Sequence, residues 1–122
     1  MNIEQFREFC LSFEQSVEGM PFNAFFKNSK AILVFYAGKK MFCLFDIDSF
    51  DRITIRCAAE RIEQLKERYA AIEKPINLSH KSWISIKFDT DMPDGKILLM
   101  VKDSYHLAIA SMTKKERQYF QK

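Results

Sequence analysis

Residues 31–45 read Ala31-Ile32-Leu33-Val34-Phe35-Tyr36-Ala37-Gly38-Lys39-Lys40-Met41-Phe42-Cys43-Leu44-Phe45. Two runs of β-branched and aromatic residues flank a short break holding one glycine and two lysines, which is the pattern of an antiparallel hairpin. At the two-residue period of a strand, Met41, Cys43 and Phe45 share one side of the second run, and Phe42 and Leu44 share the other. Both sides are apolar, so this strand is expected to be covered on both.

Downstream, Asp46-Ile47-Asp48-Ser49-Phe50-Asp51 punctuates the chain before Arg52-Ile53-Thr54-Ile55-Arg56 alternates strictly, placing Ile53 and Ile55 inward and Arg52, Thr54 and Arg56 outward. A helix is expected over about residues 58–71, with Ile62, Leu65, Tyr69 and Ile72 as its buried stripe and Lys66 and Arg68 on the other face. Pro75 interrupts the chain, and 75–81 reads as an irregular strand or turn. In 82–88, Ile84, Ile86 and Phe88 lie on one side, while Trp83, Ser85 and Lys87 lie on a solvated one. Asp89-Thr90-Asp91 ends that strand. Pro93 opens a third helix carrying Ile97, Met100, Val101, Tyr105, Ala108 and Met112; Gly95 weakens its first turn by roughly 1 kcal/mol relative to alanine. Thr113 and Glu116 form a capping box for a short fourth helix.

Upstream, 14–30 is polar and turn-rich, a loop with a short edge strand. Ile3, Phe6, Cys10 and Phe13, broadened by Phe9, mark a first helix capped by Asn2 and Gln5. The order describes an α+β fold, an antiparallel sheet of about four to five strands with helices packed mainly on one face. A chain of 122 residues, 48% apolar with twelve phenylalanines, suits a single domain over 1–122.

Composition narrows the function classes. No apolar run is long enough for a membrane span, and the first residues do not resemble a secretory signal, so a cytoplasmic protein is expected. Cys10, Cys43 and Cys57 are widely separated and read as free core thiols, and with His80 and His106 they make no zinc spacing. Asp46, Asp48 and Asp51 lack the glycine and the closing glutamate of a calcium loop. Three isolated glycines make no phosphate loop, and no nucleophile has an evident base. The expectation is a noncatalytic protein with no metal and no cofactor.

What remains is basic and aromatic. Net charge is only +3, but the excess is concentrated in three segments, 27–40, 72–88 and 112–122. Lys39 and Lys40 crown the hairpin, Lys27 and Lys30 precede it, Arg52 and Arg56 project from one strand, and Lys81, Trp83 and Lys87 lie on or before another. Were these strands neighbours, Arg52, Arg56, Trp83 and Lys87 would form one exposed patch able to bind phosphates and stack a base on the indole. The competing reading is a solvated sheet face on which Trp83 packs against arginine stems.

Taken together these segments resemble the MmcQ/YjbR family of small bacterial proteins over almost the whole chain. Pro21-Phe22 resembles the family's Pro-Phe-Gly element, with Asn23 in place of its glycine. Gly38-Lys39-Lys40-Met41-Phe42-Cys43-Leu44 is similar to its Gly-Gly-Lys-Met-Phe-Ala-Leu hairpin. The stretch 52–57, then Leu78 and Lys81-Ser82-Trp83, follows its next two motifs, with Asn77, Ser79 and Ser82 as departures. Ser104-Tyr105 matches its Ser-Tyr, and Lys114-Lys115 its basic tail. The resemblance implies a frataxin-like, double-wing α+β fold, and DNA binding. A protein partner or homodimer, through an edge strand or the helix face near Tyr105, is the alternative. Frataxin-like metal handling through Glu4, Glu8, Glu14 and Glu18 is a third reading.

Overall fold

The computed structural model describes residues 1–21, 31–75 and 78–120. Helix α1 (Ile3–Leu11) starts at a reciprocal cap: the Asn2 side chain accepts the Gln5 N–H at 2.8 Å, and Gln5 Oε1 accepts the Asn2 N–H at 3.3 Å. Strand β1 (Ser16–Gly19) follows, held to α1 by a forked Arg7–Glu18 pair. Then come β2 (Ile32–Ala37), β3 (Lys40–Asp46), β4 (Arg52–Arg56), helix α2 (Ala59–Arg68), β5 (Ile72–Glu73), β6 (Trp83–Lys87), helix α3 (Asp94–Ala110) and helix α4 (Lys114–Phe120). All pairings are antiparallel in the order β1-β2-β3-β4-β6-β5. The sheet therefore has six strands, more than the four to five expected. The short edge strand expected within 14–30 is β1, and the addition is β5, whose two residues are too few to display an alternation.

The hairpin turn is Gly38-Lys39, because Ala37 and Lys40 are already paired. Gly38 has φ 61°, which a residue without Cβ adopts freely at the first turn position. The register slips between Phe35 and Tyr36: Phe35 opposes Cys43, whereas Tyr36 opposes Met41. Phe42 is thus the extra residue of a bulge. Strict alternation would put it on the side away from the helices. Instead it turns to the helix side with Cys43 and Phe45, fully buried, its ring 5.9 Å from Phe13, 6.3 Å from Phe35 and 5.4 Å from Tyr105.

α3 lies across β3 and β4 and buries Ile97, Met100, Val101, Ser104, Tyr105 and Ala108. Phe6 anchors a second aromatic group with Phe45, Phe50 and Phe88. α2 ends earlier than the apolar spacing predicts. Tyr69 is already extended, and Ile72 belongs to β5. Asp91 receives the N–H groups of Ala70 and Ala71 at 2.7 and 2.9 Å, holding that turn. The Thr113–Glu116 box forms as expected. Among the described residues no helix is long and apolar enough to cross a membrane.

Cys10, Cys43 and Cys57 are all free and buried. Burial pushes the Cys43 thiol well up, with Cys10 against it adding to the effect, and burial likewise raises Cys57. Since the thiolate is the reactive form, a thiol-reactive dye is expected to label native protein only as fast as it unfolds, and to label three thiols in denaturant. Rapid stoichiometric labelling of the native state would contradict this burial.

Candidate nucleic-acid interface

The strands expected to carry a basic patch are indeed neighbours. In β4 and β6, Arg52 opposes Lys87, Thr54 opposes Ser85 and Arg56 opposes Trp83, so all six share the sheet face away from the helices. Their environments differ along the strands, because Arg52 and Arg56 stand about 13 Å apart at strand spacing.

At one end, Arg52 is spoken for by carboxylates: its Nε lies 3.2 Å from Asp51 Oδ1, and one terminal nitrogen reaches across β6 to Glu73 at 2.9 Å. Asp51 is held below the usual carboxylate range, first by its hydrogen bond from Arg52. Lys87, opposite, is exposed.

At the other end, Trp83 is only 6% exposed. The Arg56 guanidinium sits 4.8 Å from its ring centroid, and Arg56 Nε donates to the Met41 carbonyl at 2.6 Å. Burial lowers the Arg56 pKa from the usual guanidinium value. The expectation of one exposed stacking surface is therefore corrected. Arginine covers the indole, as the competing reading had it, and leaves no exposed ring face there for stacking. Ser85, expected on a wet face, is 3% exposed and hydrogen-bonds Thr54 at 2.7 Å. Alternation marks which residues share a face, but not whether that face is covered.

β3 and β4 pair only at Cys43–Ile55 and Leu44–Thr54. Beyond those pairs the bulge carries Phe42 away, and the fully buried Ser104 of α3 enters. Its Oγ donates to the Phe42 carbonyl at 2.5 Å and accepts the Arg56 N–H at 2.8 Å. The serine of the Ser104-Tyr105 pair thus replaces a missing ladder bond. Tyr105 is buried too, stacked on Phe13 at 4.7 Å and donating to the Glu14 carbonyl at 2.6 Å. The Tyr105 side chain is therefore part of the packing between α3 and the Phe13 segment.

The accessible cations gather elsewhere. Lys39 at the hairpin tip is exposed and Lys40 partly so, and Lys114 and Lys115 at the start of α4 are both exposed. Glu116, in the first turn of α4, lies within electrostatic reach of the hairpin tip. Its carboxylate is held low by the Thr113 backbone N–H, then by the Thr113 hydroxyl, and further by Lys40 and Lys39. Lys81, also exposed, lies at the same end of the sheet, since Cys57, just beyond Arg56, donates to the Ser82 carbonyl. Lys27 and Lys30 lie outside the described residues. The expected acidic ridge is interrupted by the Arg7–Glu18 pair, and among the described residues no group of three metal-type ligands occurs.

This geometry defines an α+β domain with a six-stranded antiparallel sheet, helix-covered on one face and basic at its hairpin end. The family model described as YjbR matches residues 11–107, and the chain belongs to the YjbR family. Its fold is similar to the crystal structure of Deinococcus radiodurans protein DR2400, a DUF419 domain. The TM-score is 0.84 at 26% identity, covering 98% of this chain and 87% of that one. It also resembles a crystal structure of a Pseudomonas syringae protein, with TM-score 0.70 at 17% identity over 88% of this chain and 99% of that one. A comparison with curated proteins gives no match.

Proposed function

We propose that this YjbR-family domain is a noncatalytic, cytoplasmic nucleic-acid-binding module that contacts the phosphate backbone through the hairpin end of its sheet. The observation that carries this reading is that Lys39 and Lys40 of the hairpin lie within electrostatic reach of Glu116, whose chain neighbours in the first turn of α4 are the exposed Lys114 and Lys115. Two of the three basic segments of a chain whose net charge is only +3 converge there. Lys81 extends the cluster, whereas Arg52 is paired and Arg56 and Trp83 are packed. Flexible lysines reach phosphates through charge and favour contacts that do not discriminate sequence.

Anisotropy titration of labelled duplex and single-stranded DNA tests it. If about five lysines neutralise phosphates, affinity is expected to fall by roughly 10²–10³-fold between about 50 and 200 mM salt. Lys39→Glu with Lys40→Glu should weaken binding by about tenfold or more, while Arg52→Ala changes it little. Absent binding at low salt, or binding that ignores salt and the double substitution, overturns the reading.

A further inference from the structure

A different surface of the molecule gathers a second group of cations. On α2, Arg61, Gln64, Leu65 and Arg68 fall at the i, i+3, i+4, i+7 spacing of one helical face. Glu60, Glu63 and Glu67 are exposed on the same helix, and Lys66 is drawn to Glu63 at 3.5 Å. The face holding Arg61 and Arg68 lines a cleft of about 410 Å³ together with Tyr69 and, from the first turn of α3, Lys96.

Three cations and one amide surround this space, and no carboxylate lines it. Two of the cations are positioned. Arg61 is steered by Asp103 of α3 at 3.3 Å and by the Met100 sulfur at 3.8 Å, and the Arg68 guanidinium lies 5.5 Å from the Tyr69 ring centroid. Asp103 offsets only one of the three charges. Leu65 and Tyr69 add an apolar wall to this open cleft. Guanidinium groups present paired donors that match phosphate oxygens, and an ammonium adds a point charge.

We infer that the cleft between α2 and the first turn of α3 binds the phosphate group of a small phosphorylated molecule, with Arg61, Arg68 and Lys96 as its donors. The remainder of the molecule lies against Leu65 and Tyr69, and Gln64 supplies a neutral hydrogen bond. This site stands apart from the hairpin lysines and does not depend on them.

Calorimetry with AMP, inorganic phosphate and adenosine, on the full chain, tests the inference. AMP is expected to bind and adenosine not to. Phosphate is expected to bind more weakly than AMP, and phosphate binding as tightly as AMP overturns the phosphorylated molecule as the ligand. Arg68→Gln with Lys96→Gln should reduce AMP affinity by about tenfold or more, with the melting temperature retained because Lys96 and Arg68 are not core residues. Lys39→Glu with Lys40→Glu should leave it unchanged, which separates this site from the nucleic-acid surface. No AMP binding, equal binding of adenosine, or AMP binding indifferent to the cleft substitutions overturns it.

Discussion

Phe42→Ala is expected to lower folding stability by about 3–5 kcal/mol, the range for removing a fully buried aromatic side chain. Phe42 is inaccessible to solvent and its ring meets Phe13, Phe35 and Tyr105. It therefore joins the end of the α1 segment, the sheet and α3, and its loss opens a cavity shared by three elements. Because a domain of this size is stable by only about 5–15 kcal/mol, the variant should unfold at a much lower urea concentration. The bulge supplies a sharper control. Leu44, which lies on the other face, is only partly buried, so Leu44→Ala should cost clearly less. Equal costs for the two would mean that both strand faces are equally packed and that the bulge does not redirect Phe42.

Ser104→Ala is expected to cost about 2–4 kcal/mol although it removes a single oxygen, because two buried backbone groups then lose their partner. The Arg56 N–H and the Phe42 carbonyl both rely on that hydroxyl. The checks are the urea midpoint and hydrogen exchange at the Arg56 amide, which should quicken selectively. A variant as stable as the parent, with Arg56 exchange unchanged, would show that the strands can pair directly there. The cost arises from desolvation rather than lost volume, so Ser104→Gly should not be milder.

Much of this arrangement can be read in the sequence, and the exceptions have physical causes. The α1 cap, the hairpin, the alternating 52–56 strand and the Thr113–Glu116 box are encoded within a few neighbouring residues, so local pattern locates them. The face of Phe42 depends on a one-residue slip between two strands, which no single strand displays. β5 owes its existence to the longer strand beside it. Tyr69 and Ile72 continue a helical spacing, yet Asp91, about twenty positions away, draws the Ala70 and Ala71 amides out of the helix.

The basic strand residues illustrate the same limit at the candidate site. Sequence placed Arg52, Arg56, Trp83 and Lys87 on one face correctly. It could not show that Glu73, far along the chain, would take Arg52, or that Arg56 would lie over the indole. Lys39 and Lys40 were visible at a turn. Their nearness to Glu116 of α4 depends on how α3 crosses the sheet, which is a tertiary property.

The strand order adds a consequence for folding. β1-β2-β3 and β4-β6-β5 are two three-stranded halves, and they meet at two register pairs and at Ser104. A seam this short closes fully only when the third helix has docked, since one helix side chain supplies its last hydrogen bonds. Sheet closure and helix docking are therefore one cooperative event, and the exchange of the Arg56 amide reports both at once.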